Sequence, residues 1–349
     1  MVQGVETADA DATVDDIARR VREHPGLRNK APIALVGEVL GRAGGAGDPA
    51  EGGAGDPGRD WAAGPGDDGA VVVDGDATLV VGGEALLPAF VAADPYGAGI
   101  AAVLANVNDL AAMGARPLAV VDTVVGPEDL ARRALEGMAY GSGVYQVPIV
   151  GGHLTVTDGP PAISAFGLGR AEAGRVLSAG HAAAGQSLLV ACCTEGTMRP
   201  DFPFFASFDA RGDRLAGDVR TLAAVAATGA CVAAKDVSMP GLLGSLAMLL
   251  EPNRLGVTVD LEAVPAPEGV ALADWLICFP CFAFLLCAPA GREDDCASPF
   301  RARGLSVAVL GTLDGSGRLD VRLGGETATV VDVNAEPVTG LPPAPKAPS

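Results

Sequence analysis

The chain has 349 residues, 49% of them hydrophobic, enough to build two packed cores. With 24 Lys and Arg against 43 Asp and Glu its formal net charge is -19, so a nucleic-acid backbone or an anionic membrane would be repelled over most of the surface. No window approaches the roughly 20 apolar residues of a membrane span, and the acidic N-terminus lacks the basic and apolar regions of a signal peptide, so a cytoplasmic protein is expected.

Val14, Ile17, Ala18 and Val21, behind a capping Asp11 or Thr13, predict a short helix over 12–23 that reads as an N-terminal appendage. Residues 41–66 are mostly Gly, Ala, Asp and Pro without an apolar period, which predicts a mobile loop, either an insertion or a lid. Strands follow over 70–73 and 78–81, joined by the turn Asp74-Gly75-Asp76. A long helix over 95–113 spaces Ile100, Val103, Leu104, Val107, Leu110 and Ala111 by threes and fours. A strand over 118–125, a helix over 127–140 and strands over 147–150 and 162–168 complete a first α/β domain. Residues 180–186 read as the crossing to a second, with strands over 187–192, 231–235, 256–260, 282–287 and 306–313 and helices over 218–228 and 241–250. The expected division is 1–60 for the N-terminal helix and Gly-rich segment, 61–180 and 181–335 for the two domains, and 336–349 for a Pro-rich tail in solvent.

The seven Cys are expected as reduced thiols buried in strands. Cys278-Phe279-Pro280-Cys281 spells CxxC, but no second CxxC or His pair exists to complete a zinc site.

Several polar groups stand where strands and helices meet. Asp67 and Asp68 lie between Gly66 and Gly69 just ahead of a strand, where adjacent carboxylates point different ways and one can reach a metal; an Asp-Gly pair also makes an ordinary turn. Asn106 and Asp109 share a helix face, with Asn108 away from it. Set among Val103, Val107, Leu110 and Met113, such groups are costly to bury without a ligand or partners. Glu84, after Gly82-Gly83 at a strand end, is either a further metal ligand or a solvated charge. Gly151-Gly152 follows an apolar strand, so backbone N–H groups can approach phosphate oxygens; His153 is either a base or a hydrogen-bonded structural His. Lys235-Asp236-Val237-Ser238-Met239-Pro240-Gly241 puts an ion pair at a strand end before a helix start that would favour an anion, or that Ser238 simply caps. Arg199 and Phe202-Pro203-Phe204-Phe205 form either a substrate-facing loop or an apolar corner. Clustered Asp side chains holding Mg²⁺ are how so acidic a chain would accept a polyphosphate. GxxxxGK[ST], GxSxG and HExxH are all absent.

In order, GDDGAVV, NVNDLAAMGARPL, VGGHLT and AAKDVSMPGLLGSLAMLLE resemble the aminoimidazole ribonucleotide (AIR) synthetase superfamily over residues 30–323. That superfamily also holds selenophosphate synthetase, thiamine monophosphate kinase and the hydrogenase-maturation carbamoyl dehydratase. The chain is most similar to an AIR-synthase-related branch of unassigned substrate. The resemblance implies an α+β fold of two α/β domains. In it the N-terminal domains of a homodimer pair into a β-barrel flanked by helices, the C-terminal domain is an α/β sandwich, and MgATP lies in a cleft. It implies Mg²⁺ on Asp67 or Asp68, Asp109 and Asp236, with Glu84 where several relatives carry aspartate. Asn106, Gly151, Gly152 and His153 fall where the family contacts nucleotide or phosphate, Asn108 is grouped with them, and Lys30 occupies a segment that lies over ATP in selenophosphate synthetase. The reactive N-terminal Cys of that enzyme, the C-terminal Cys of the dehydratase and the Ser-Gly-Glu-Asp pattern of the thiamine kinase are missing.

The expected activity is therefore ATP-dependent: phosphorylation of an amide or carbonyl oxygen of a small metabolite, with Asp109 and Lys30 at the chemistry and ADP and phosphate released. A small-molecule kinase releasing a stable phosphoester, and a non-catalytic nucleotide-binding scaffold subunit, are the alternatives.

Overall fold

The computed structural model describes residues 12–39, 66–200 and 202–341. The Gly-rich stretch expected as a loop lies outside these residues, apart from Gly66. Helix α1 (Val14–Glu23) starts at a capping box: the Thr13 hydroxyl accepts from Asp16 N, and the Asp16 carboxylate accepts in return from the Thr13 backbone. Its Val14, Ile17, Ala18 and Val21 stripe is buried, but not as an appendage. The helix docks on the last strand of the chain, where Arg22 donates to Thr329 O and Arg20 pairs with Asp274 at 2.8 Å. It therefore belongs to the core of the second half, which Leu27 of α2 (Pro25–Arg28) also joins, and α3 (Ala34–Val39) follows.

Strands β1 (Ala70–Asp74) and β2 (Ala77–Ala85) form the expected hairpin, with Gly75 supplying the positive φ of its turn. After α4 (Pro88–Ala93) and α5 (Pro95–Ala112) come β3 (Arg116–Gly126), α6 (Glu128–Tyr145), β4 (Ile149–Val156) and β5 (Ala162–Ala171). The sheet order is β1-β2-β5-β3-β4, with β3 and β4 parallel and every other pair antiparallel. Alternation sorts its two faces. Val80, Val120, Val124, Ile163 and Ala165 are buried beneath α5 and α6, while Val81, Val121, Phe166 and Leu168 stand exposed on the other side. Gly99 and Gly137 let the two helices touch backbone to backbone, since a Cβ on either would run into a carbonyl of the other helix. β1 and β4 are both free edges, so one chain makes an open sheet; the expected barrel does not close within it.

The second half centres on a four-stranded antiparallel sheet, β13-β6-β12-β9, built from β6 (Ser187–Cys192), β9 (Ala233–Asp236), β12 (Ala283–Ala288) and β13 (Ser306–Thr312). Both faces are covered. Leu189, Ala191, Phe284 and Leu286 face α8 (Arg214–Ala227) and α11 (Glu293–Arg301) in a core continuous with α5 and α6, whereas Leu188, Val190, Leu285 and Cys287 face α9 (Gly241–Leu250). Between these, β7 (Thr197–Met198), β8 (Phe204–Ala206), α7 (Phe208–Arg211), α10 (Leu272–Trp275) and β11 (Phe279–Pro280) make a small flap and corner. A third sheet orders β10 (Val257–Asp260), β14 (Arg318–Leu323) and β15 (Glu326–Asp332). All seven cysteines are buried and unpaired, and burial pushes the thiols of Cys192, Cys281 and Cys287 up to about 12.

The chain does not trail free from residue 336. Val338 and Thr339 are buried, and the Glu251 carboxylate accepts from the Thr339 N–H, the Thr339 hydroxyl and the Gly340 N–H. Residues 342–349 lie outside those described. Among the described residues no helix is long and apolar enough to cross a membrane.

Candidate functional site

Three carboxylates from three separate elements meet at the seam between the halves. Asp68 comes from the turn before β1, Asp109 from the last turn of α5, and Asp236 from the end of β9; ligand oxygens of all three lie within 4.8 Å of one another. Gly82 of β2 makes the floor. A Cβ there would sit 4.0 Å from the Asp109 Cβ and 3.3 Å from the Asp68 carbonyl. Lys235 is buried and donates to Asp68 and, at 2.7 Å, to Asp236 Oδ1, while the Asp236 N–H donates to Asp68 Oδ2 at 3.2 Å.

Glu84, farther along β2, completes the group. Burial raises its pKa, the Lys30 ammonium lowers it, and Asp236 raises it further. Lys30 thus lies close enough to Glu84 for its charge to be felt there. Its segment is seated by Gly26, whose Cα packs so closely on the Met239 carbonyl that a Cβ has no room.

The electrostatics are those of a site short of positive charge. Among the described residues the cations that face Asp68, Glu84, Asp109 and Asp236 are Lys235 and Lys30, which leaves an excess of two negative charges when all are ionised. Burial first, and then the neighbouring carboxylates, hold Asp109 well above the ordinary carboxylate range. Asp68 is pushed up to about 7 by burial, with Lys235 opposing and Asp236 adding to it. Burial opposes the charge on Lys235, but Asp236, Asp68 and Asp109 outweigh it and move its pKa up. Hard carboxylate oxygens converging on one point, with uncompensated negative charge, fit Mg²⁺. Burying these charges without a cation costs several kcal/mol per ion on an order-of-magnitude basis.

The other expected residues are elsewhere. Asp67 is spent locally, accepting from Ser178 Oγ at 2.6 Å and Ala179 N at 2.7 Å, so of the adjacent pair only Asp68 reaches the cluster. Asn106 is fully buried, its amide donating to Ala102 O and Ala165 O; Asn108 donates to Cys281 O across the seam. Both fasten α5 to its neighbours and neither joins the carboxylates, though each keeps a buried Oδ1 without a partner. Gly151, Gly152 and His153 do not form a turn after a strand. They continue β4, exposed, at the sheet edge opposite Val121, Asp122 and Thr123. Two strands separate β4 from β2, or about 14 Å at ordinary strand spacing. Ser238 does not cap α9 with its side chain; Pro240 stands at that position, and the Leu242 N–H is used by Leu276 O.

Sequence reasoning placed Lys235 only in an ion pair with Asp236. Its larger part, as the buried cation between Asp68 and Asp236, had one signal: a Lys within an otherwise apolar strand. The loop with Arg199 and residues 202–205 packs away from the carboxylates, Phe202 stacking on Phe90 and Arg199 pairing with Asp94 at 3.1 Å.

Among known structures, Thermotoga maritima PurL complexed with ADP aligns with a TM-score of 0.68 at 18% identity, covering 81% of this chain and 48% of its own. AaThiL complexed with AMPPCP and TMP aligns with a TM-score of 0.57 at 18% identity, covering 76% and 91%. These likenesses establish the fold. In sequence, an uncharacterized protein of Synechocystis sp. is 34% identical over 73% of this chain and 80% of its own length. The phosphoribosylformylglycinamidine synthase subunit PurL of a Synechococcus strain is 29% identical over 70% of this chain but only 35% of its own, so the chain spans about a third of that relative. Residues 66–171 match the N-terminal domain, and residues 200–324 the C-terminal domain, described as AIR synthase related protein, and the chain belongs to this AIR synthase-related family.

Proposed function

We propose that the protein is an enzyme that uses MgATP to phosphorylate an amide or carbonyl oxygen of a small metabolite. The observation that carries this reading is the convergence of Asp68, Asp109 and Asp236 at the seam, with Glu84, Lys235 and Lys30 around them. The nucleotide complexes of PurL and AaThiL, which share the fold, support it.

In this reading Asp68, Asp109 and Asp236 hold Mg²⁺, with Glu84 beside them. Bound there, Mg²⁺ would offset polyphosphate charge and stabilise the charge that develops in transfer. Lys30 pairs with phosphate oxygens from the N-terminal segment, and Lys235, through its hydrogen bonds, holds Asp68 and Asp236 in place. The γ-phosphoryl group passes from ATP to the substrate oxygen with release of ADP; an amine of the same metabolite or of a co-substrate then bonds to the activated carbon and loses a proton as the C–O bond breaks and the oxygen leaves in phosphate. A second copy of the chain packing on the exposed sheet face at Val81, Val121, Phe166 and Leu168 would close the barrel and shelter the Gly151–His153 edge, which no element among the described residues covers. Molar mass in solution tests that pairing: Phe166→Asp is expected to give a monomer.

Calorimetric titration with a non-hydrolysable ATP analogue tests the reaction class. Magnesium-dependent binding that Asp109→Asn abolishes is expected, followed by ADP release when amides are screened. A folded Asp109→Asn with normal ATP turnover would overturn the assignment.

A further inference from the structure

A second concavity lies on the other side of α5, and it is built from different chemistry. Tyr96 and Ile100 on α5, Tyr140 on α6, and Thr197, Phe208 and Asp209 of the flap line an open groove of about 510 Å³ along the seam between the halves. Ile100 and Asp109 are nine residues apart, which on an α-helix is half a rotation and about 13 Å of rise, so the groove faces away from the carboxylate cluster.

The walls are concave and aromatic. Tyr96 and Tyr140 have ring centroids 6.4 Å apart at 43°, and Tyr140 meets Phe208 at 6.1 Å and 77°. Rings tilted in this way leave no parallel slot for a flat heterocycle, whereas aromatic faces beside a carboxylate attract a compact cation. Tyr96 already takes a cation on its outer side, the Arg133 guanidinium 5.0 Å from its centroid; Arg133 is itself neutralised by Glu136. The Asp209 carboxylate at the rim has no ion pair or hydrogen bond among the described residues, and neither do the hydroxyls of Tyr96, Tyr140 and Thr197 that share the groove. Three aromatic walls, one unneutralised carboxylate and hydroxyl acceptors therefore select for positive charge on an apolar body. Close contact of Gly99 and Gly137 with the facing helix holds the two tyrosines in register without needing a ligand.

We propose that this groove is a binding site for a small organic ammonium compound, separate from the nucleotide site and independent of magnesium. The alkylammonium head sits among Tyr96, Tyr140 and Phe208 with Asp209 as its counter-charge. Because α5 and α6 belong to one half and the flap to the other, occupancy ties the two together.

The chain has three tyrosines, two of them in the groove and the third, Tyr145, fully buried, so fluorotyrosine labelling and ¹⁹F NMR give a three-line readout with an internal control. Choline and its neutral carbon isostere, 3,3-dimethylbutan-1-ol, are the probes, titrated without nucleotide or Mg²⁺. Choline is expected to shift Tyr96 and Tyr140 in a saturable way and leave Tyr145 unmoved. The isostere should bind at least about tenfold more weakly, and Asp209→Asn or Phe208→Leu should weaken choline by about tenfold with the melting temperature unchanged. Equal binding of both probes would reduce the groove to an apolar crevice and overturn the proposal, as would no saturable shift at millimolar choline or preference for a flat neutral ring such as indole. Asp109→Asn is expected to leave choline binding intact, so failure of the nucleotide reading and failure of this one are told apart.

Discussion

Two of the places where the chain buries charge solve the problem in opposite ways. Under α8, Asp218 accepts from Arg211 Nε and Nη2 at 2.9 and 2.7 Å and from Arg303 Nε at 2.6 Å, so both carboxylate oxygens are taken. Arg211 gives a further hydrogen bond to Arg303 O, and Glu195, 3.9 Å from it, faces Arg214 as well. At the seam, four carboxylates share two lysines, and three of the acids, Asp68, Glu84 and Asp109, are driven toward their neutral forms. In the first cluster both oxygens of the buried acid are paired with guanidinium groups, although Arg211 Nη1 finds no hydrogen-bond partner among the described residues. In the second the carboxylates outnumber the lysines, and that difference, more than burial itself, makes it the candidate functional site.

The comparison breaks most sharply at Asp218. Asp218→Ala would leave Arg211 buried without its carboxylate, and the free energy of unfolding is expected to fall by about 3–5 kcal/mol in denaturant titrations, with or without Mg²⁺. Lys235→Met makes the open cluster more open: it should lower stability by about 3 kcal/mol in EDTA at pH 8, and saturating Mg²⁺ should recover much of that loss, an effect absent at Asp218. Loss without magnesium recovery would put Lys235 in the structural class.

Asp109→Asn carries the opposite sign. It removes a carboxylate that the apo protein disfavours, so apo stability at pH 8 is expected to rise by about 1–3 kcal/mol while the magnesium-dependent gain disappears. The pH dependence follows the same sign. An acid whose folded pKa is raised binds its proton more tightly in the native state, so stability falls as pH climbs from about 4, its unfolded value, through the folded value, which for Asp68 is about 7. The advantage of Asp109→Asn over the parent chain should therefore shrink on acidification and vanish near pH 4, as melting temperatures in EDTA would show.

Much of this frame was legible in the sequence, because periodicity reports which face an element buries. The five strands of the first sheet, α5, and the strand-to-helix passage through Asp236 all came from apolar spacing. Asp68, Asp109, Asp236 and Lys30 were all named, yet nothing in the sequence separated Asp68 from Asp67, since only the folded chain brings Ser178 and Ala179 to the latter. Asn106 misled for a related reason: a buried carboxamide on the helix face beside Asp109 reads as ligand-facing until β5 is seen to offer the Ala165 carbonyl. Gly151-Gly152 looked like a loop because glycine weakens strand signals, whereas pairing along β3 carries the strand through it. The docking of α1 on β15 is a contact between the two ends of the chain, and no local pattern encodes it.

The smallest effect expected concerns how one of the two lysines is held at the open cluster. His24 ends α1 and begins α2, and its Nδ1 accepts the Gly26 N–H at 3.2 Å, which requires that nitrogen to be unprotonated. Burial, and then the Arg20 charge, lower its pKa below 6.5. A base with a depressed folded pKa contributes stability that is complete above its unfolded value and is lost as pH falls through the folded one, so the turn carrying Gly26 and Lys30 should loosen below about pH 6.5. Hydrogen exchange of the Gly26–Lys30 amides is the measure, after correction for intrinsic rates. Protection should drop by about threefold to tenfold between pH 7.5 and 5.5, the range of a single cap worth about 1 kcal/mol. His24→Asn keeps a capping acceptor without a proton to gain and should hold protection level across that interval, while Arg211 and Asp218, closed on themselves, should show no change in either protein. Equal loss in both proteins would trace the loosening to the titrating carboxylates of the open cluster, through Glu84 and Lys30, instead of to the histidine.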